Sequence, residues 1–401
     1  FIGTLGVAGT ATSVAGIPFY QGDTGSIYTH DVSSTDSTAQ YNTAYGLTAL
    51  DAITTGDNNT AIGYGAGSAL QDGDGNVCVG TGAGNDLTSG ANNIAIGQDA
   101  LAQTTTSDAN IAIGRNALQI PDTEANNLAI GHTAMSGSIA GAEFNIAIGN
   151  FALDALTSGD QSVAIGYGAG GATNTGRVLA IGKDAAGANT SGGAIIAIGD
   201  TAYDAADTEN YNIAIGTDAL GGAVAGGEYN VAVGHFSLDA LTSGDNNVVV
   251  GYSAGTSITT GAGNVGIGFE ALKDNQTGSN NTAVGENALA NTTSDQNTAV
   301  GQNALLTNTS GTSNQAIGHD SLRLNTTGSK NIGIGVDALR SNTEGGSNIA
   351  IGHETYDGAD TESNNLAIGE SALGGSVAGG EYNVALGNYT LDALTSGDGN
   401  T

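Results

Sequence analysis

Five histidines, one cysteine and a few acidic turns are the residues of this 401-residue chain whose types could do chemistry. Cys78 is the lone thiol. A nucleophilic cysteine needs a base held beside it, and no histidine lies near Cys78 in sequence or in repeat register; it stands where other copies of a repeat carry Ala, a slot for a small buried side chain. His132, His235, His319 and His353 each directly follow a repeat glycine, while His30 lies outside the repeat. His319 and His353 are two repeats apart, roughly 10 Å at the spacing of sheet strands, too far to share a metal. All five are read as isolated surface side chains. Asp72-Gly73-Asp74-Gly75-Asn76 is the one stretch that resembles a calcium loop, with Asp72 and Asp74 as its ligand candidates. The spaced oxygens and closing Glu of an EF-hand are missing, and so are the nonapeptides of calcium-binding β-rolls. An ordinary turn is the simpler reading, with calcium between aligned Asp side chains as the alternative. A polysaccharide-cleaving site would need two carboxylates at one place in a groove. The 39 Asp and Glu sit in repeated turn contexts that single out no pair, so no enzyme activity and no resident cofactor are expected.

The formal charge of -32 sets only 7 Lys and Arg against those acids. Such a field repels phosphate backbones and anionic lipid, so neither nucleic acid nor direct membrane insertion is expected. No apolar run approaches the length of a membrane span, and a single cysteine provides no disulfide framework. Lys273, Arg323, Lys330 and Arg340 fall in one stretch, where they locally neutralise acidic turns. With 67 Gly, 2 Pro and no strict triplet period, long helices and collagen are both excluded.

These residues hang on a repeat. Aligned on the glycine of Asn-x-Ala-Ile-Gly, the chain holds 21 copies from Gly46 to Gly387, recurring at every seventeenth position with a few steps one shorter or one longer. Asn59, Ala61, Ile62 and Gly63 form one copy; Asn93, Ala95, Ile96 and Gly97 another; Asn281, Ala283, Val284 and Gly285, followed by Ala288 and Leu289, a third. Asn stands at the fourth position before the glycine except at Ser162, Val178 and Ile195, three successive copies that mark a bend or a specialised zone. The segment x-Ala-Ile-Gly reads as a very short strand, larger residues to one side and Ala to the other. A solvated face would tolerate Lys or Glu, so the persistent Ala implies that its side is covered too, by the opposite wall of the coil, a neighbouring subunit or a turn of backbone. A second short strand is expected near Ala-Leu, and runs such as Thr54-Thr55-Gly56-Asp57-Asn58 supply the polar turn.

The fold expected is therefore all-β, an elongated β-solenoid (β-roll) of about 21 coils with a 17-residue period, equivalent residues lying about 4.8 Å apart in successive coils. Identical asparagines at that spacing would stack as a hydrogen-bonded ladder and satisfy the turn backbone. Longer blocks repeat as well: Glu143-Phe144-Asn145 to Asp160 matches Glu228-Tyr229-Asn230 to Asp245 and Glu381-Tyr382-Asn383 to Asp398. Residues 1–41 do not match and are read as irregular coils, a cap or a junction; residues 42–401 form the shaft, expected to be truncated at its C-terminal end because no cap is visible.

The segment Asn281-Thr282-Ala283-Val284-Gly285-Glu286-Asn287-Ala288-Leu289 and its continuation Asn297-Thr298-Ala299-Val300-Gly301 resemble the head-type β-roll repeats of trimeric autotransporter adhesins, and the Asn-Thr-Ala-Val-Gly repeats of phage tail fibres and large surface proteins of marine bacteria. In weaker form the likeness runs from about Asn42 to Thr401. It implies a rod of stacked β-coils that oligomerises side by side, as a trimer or a ring of higher order, and serves attachment through a cell-surface or glycan target at a tip outside this segment. Its location would be extracellular or at the cell surface, or else in a virion tail fibre; no active site is carried over. Tyr64, Tyr167, Tyr252, Phe151, Phe236 and Tyr389 suit intersubunit or rim packing better than glycan stacking. A glycan-binding rod surface is the competing function. Ice recognition is disfavoured because Thr drifts in position and number among the polar turns.

Overall fold

The structure is a computed structural model that describes residues 12–14, 17–21, 25–29, 38–119, 123–174, 177–206, 208–358, 360–375 and 379–401; His30 and Phe1 lie outside them. The fold is an all-β solenoid, with no helix among the described residues. It divides into two compact units, Phe1–Ile195 and Ile196–Thr401.

In the first unit, β1 (Thr12–Val14), β2 (Ile17–Gln21) and β3 (Ile27–Tyr28) pair antiparallel in order. β3 then pairs parallel with β4 (Thr43–Tyr45), and from there each coil adds one short strand parallel to the last, as far as Val178–Ile181. The register is strict: Ala61 lies beside Cys78, and Cys78 beside Ala95. The second unit follows the same rule, from residues 196–198 paired with Ile213–Ile215 to Leu366–Ile368 paired with Val384–Leu386. Period-2 alternation sends the middle residue of each strand inward and its two neighbours outward. Ala61, Ala95 and Ala283 are fully buried, while Ile62 keeps 41% of its surface exposed.

This inverts one expectation. Except for Val178, Ile195 and Val249, the strand Ile and Val do not build the core; they form its outer face, and the core is mainly Ala, Leu and Asn. The wall over the alanines belongs to the same coil: a β-carbon placed on Gly266, which stands in the Ala slot, would lie 3.2 Å from Leu272 Cδ1. The second strand expected near Ala-Leu is absent as well. That stretch is a turn in which the leucine takes a left-handed backbone, φ 57° at Leu272 and 50° at Leu289, and it still bonds to the next coil, Leu272 N–H donating to Ala288 O at 3.1 Å. A left-handed Leu costs roughly 1–2 kcal/mol. Complete burial of both side chains offsets it.

The repeat glycine turns the chain from strand to Leu turn at φ between 133° and 145° in nearly every coil. There the coils touch backbone to backbone: a β-carbon at Gly268 would sit 2.5 Å from Gly285 O. Gly65, by contrast, has φ 66° with nothing within 4 Å of the same construction. Gly268→Ala is accordingly expected to destabilise the second unit by roughly 2–4 kcal/mol in urea unfolding, and Gly65→Ala the first by about 1 kcal/mol.

Candidate functional site

Within each unit the interior is organised around the repeat asparagine. Asn59 N–H donates to Asn42 Oδ1 at 2.7 Å, and Asn76 N–H donates in turn to Asn59 Oδ1 at 2.8 Å. The amide nitrogen of each points the other way: Asn59 Nδ2 donates to Gly73 O at 2.8 Å and Asn93 Nδ2 to Ser107 O at 2.7 Å, the carbonyl of the polar turn of the same coil. In the second unit Asn281 takes Asn297 N–H at 2.9 Å and donates to Ser294 O at 2.7 Å. One side chain thus satisfies a buried donor of the next coil and a buried acceptor of its own, and unmade bonds of that kind cost about 1–3 kcal/mol each.

Where the ladder breaks, the polar group crosses the core. Ser162 Oγ still receives Val178 N–H at 3.3 Å, but Val178 and Ile195 bury aliphatic side chains in the Asn slot. On the facing wall, where other coils carry Leu70, Leu87 or Leu156, the chain places Thr173 and Asn189, and Asn189 Nδ2 now donates to the turn carbonyl of Gly192 at 3.1 Å. From Asn275 to Asn342 in the second unit both slots are polar at once. Gly278 O accepts Asn264 Nδ2 at 2.9 Å and Asn275 Nδ2 at 3.0 Å, and Asn325 and Asn342 extend a second amide ladder from Asn308.

The coils that are one residue longer than the rest use another device. Glu124, Glu209 and Glu362 are nearly buried, and their Oε1 atoms accept the N–H of Gly141, Gly226 and Gly379 at 2.7, 2.8 and 2.8 Å. Each of those glycines sits in a longer coil, directly after the coil of its Glu. Oε2 accepts the N–H of Thr123, Thr208 and Thr361 beside each Glu. The recurrence of Thr-Glu one coil before each lengthened spacing was the sequence signal for this clamp, and periodicity alone passes over it.

Cys78 is buried in the Ala column, between Ala61 and Ala95, and burial pushes its thiol up to about 12. Asp74 Oδ1 accepts the N–H of Asp57 at 2.7 Å, a bond from coil to coil that Asp108 and Asp245 repeat. Among the described residues the one group of three metal-binding side chains is His319, Asp320 and Asp337, their ligand atoms within 4.8 Å of one another. It does not include Asp72 or Asp74. Pairing His with His in the sequence missed it, because its members are a neighbour and a carboxylate one coil on. Arg323 already lies 3.3 Å from Asp320 and Arg340 3.6 Å from Asp337, and Asn303 Nδ2 donates to Asp320 Oδ1 at 3.0 Å. These clustered cations thus pair with acids one turn earlier in the chain, as Lys273 does with Glu270 at 3.1 Å. Burial pushes the phenols of Tyr203 and Tyr356 upward, and each accepts a bond from a ladder amide, Asn212 or Asn365.

Part of the threonine falls in one column of the polar turns, interrupted at Gln71, Gln276 and Asp360. Thr242, Thr259, Thr309, Thr326 and Thr343 occupy one column, and each hydroxyl donates to the carbonyl at the same place in the next coil, as Thr242 does to Thr259 O at 2.9 Å. Coils one residue shorter or longer than their neighbours hide that column from simple counting.

In each unit the strands present an outer face to solvent. From β4 to Val384–Leu386 its two outward columns carry no Asp, Glu, Lys or Arg in any strand. Ile267 is 41% and Leu386 61% exposed. No helix of the described residues is long and apolar enough to cross a membrane. No protein-family model matches the chain, and comparison with curated proteins finds no match.

Asn230→Leu should cost roughly 2–4 kcal/mol in chemical unfolding, since it strands Asn247 N–H and Gly244 O. Asn275→Leu should cost less, roughly 1–3 kcal/mol, because it strands the Gly278 N–H alone while Gly278 O keeps Asn264. Cys78 should resist iodoacetamide at pH 8 in the folded chain and react in urea; rapid labelling of folded protein would contradict its burial.

Proposed function

We propose that this chain is a non-enzymatic structural shaft of an extracellular or cell-surface fibre or adhesin, built from copies of itself side by side, a trimer or a ring of higher order. The observation that carries the reading is the uncharged outer strand face. In a chain with 39 acids and 7 bases, a solvated sheet face would collect charges, and this one has none in its two columns. An exposed face that is uncharged and mostly aliphatic suits association. The Asn, Gly and Thr columns give every coil nearly the same structural duties, which suits a spacer and supplies no unique constellation for catalysis. The resemblance to adhesin-head and tail-fibre repeats supports the same conclusion, and recognition of a surface or glycan is then the task of a tip beyond the shaft.

Sedimentation velocity combined with small-angle scattering tests the proposal. An oligomer with a high frictional ratio and a maximum dimension far above that of a sphere of equal mass is the expected outcome. A compact monomer at every accessible concentration would sink it.

A further inference from the structure

The loss of the ladder asparagine at Ser162 and Val178 coincides with a second departure on the opposite wall of the same two coils in the first unit. Most coils hold Leu four residues after the repeat glycine, as at Leu101 and Leu153, and where that slot holds Gly67 or Gly84 the facing wall supplies Leu70 or Leu87. The coils of Ser162 and Val178 break this rule. Gly170 and Ala186 occupy the first slot and Thr173 and Asn189 the second, so that among the described residues these are the only two coils with no Leu, Ile, Met or aromatic side chain in either slot. Leu153 Cδ2, 2.9 Å from the place of a β-carbon on Gly170, fills part of the space from the preceding coil. Polar atoms face the rest. Thr173 and Asn189 are fully buried and stand at the same place in consecutive coils, since the adjoining Asn174 N–H donates to Thr190 O at 2.8 Å. Asn189 Nδ2 is engaged on Gly192 O, while Thr173 Oγ1 and Asn189 Oδ1 have no hydrogen-bond partner. At the equivalent step of the second unit, from Thr292 to Asn308, the amide reaches the hydroxyl at 3.2 Å, and Leu289 and Leu305 fill the first slot. Buried polar atoms without a partner are rare because each forfeits its hydration, and two side by side point to something that bonds them both.

We propose that these two coils enclose a water-binding site in which one ordered water accepts the Thr173 hydroxyl proton and donates to Asn189 Oδ1. Equivalent positions in neighbouring coils lie about 4.8 Å apart, a gap that one water closes with two hydrogen bonds of about 2.8 Å each. Water settles in an interior that is both roomy and polar. Gly170 and Ala186 provide the room, and the two unpaired oxygens provide the polarity. The interior side chains of both coils are neutral, Ser162 and Val178 among them, so an ion of either sign would be buried without compensation and water is the ligand that fits. The stretch that its missing asparagines single out thereby becomes a hydrated segment of the solenoid interior.

Thr173→Val keeps the shape of the side chain and removes its hydroxyl, so the sign of the effect on the full chain separates a bridged hydroxyl from an orphaned one. With water in place the variant loses a hydrogen bond and leaves Asn189 Oδ1 less well served, and the urea midpoint of the first unit falls. A hydroxyl buried without a partner is instead a burden whose removal raises the midpoint; a midpoint that rises or stays unchanged would overturn the proposal. In a crystal structure of the parent chain, at a resolution that shows ordered water, density is expected within about 3.2 Å of both Thr173 Oγ1 and Asn189 Oδ1, and the same density should be lost from the variant. Absence of that density from the parent, or a direct hydrogen bond between the two side chains, would overturn the site even if the variant failed to fold.

Discussion

Everything in each unit follows from how closely one coil lies on the next at the repeat glycine. With the following coil's carbonyl where a β-carbon would be, as at Gly268 over Gly285, no other residue fits without moving the backbone. That contact fixes the coil spacing to the distance of a parallel strand pair. The spacing in turn lets Asn59 reach Asn76, Thr242 reach Thr259 and Asp74 reach Asp57 with unstrained bonds. A column of such short strands has few hydrogen bonds per strand, and these side-chain columns provide the rest of the adhesion between coils.

The interior is a trade between apolar filling and the satisfaction of one turn carbonyl per coil. Leu70 and Leu87 fill the second slot when the ladder asparagine already serves the turn; Asn189 takes over that duty where Val178 has displaced the asparagine. What stays constant from coil to coil is therefore a satisfied carbonyl, and the side chain that satisfies it can come from either wall. The doubled ladder around Asn264, Asn275, Asn308 and Asn325 shows that a coil can also fold with an interior holding little more than Ala and one Leu, provided the turn carbonyls are bonded. The three Glu clamps answer the same requirement for an extra backbone N–H.

Much of this was legible beforehand in particular residues. The asparagine spacing announced the ladder and the turn bond of Asn59 and Asn93, and Cys78 in an Ala slot announced a buried, inert thiol. Asp72 and Asp74 drew attention by local composition, yet Asp74 is spent on a backbone bond, and the closest assembly of ligating groups, His319 with Asp320 and Asp337, joins residues from two coils and was invisible to a search within one loop. The threonine column and the clamp between Glu124 and Gly141 were obscured because shortened and lengthened coils shift the count locally while the three-dimensional register is kept.

The sequence by itself determined the period, the all-β solenoid and the chemistry of each column, because parallel coils in register place every seventeenth residue in the same environment. Which side of the strand faces inward was decided only by the tertiary structure. Both sides are apolar, so hydrophobicity cannot rank them; volume does, since the Leu turn folds back against the strand and leaves room for a methyl group, which puts Ala inside and Ile or Val outside. The same closure decides which left-handed residues are enclosed, as Leu272 is, and which stand open at the surface, as Tyr382 does.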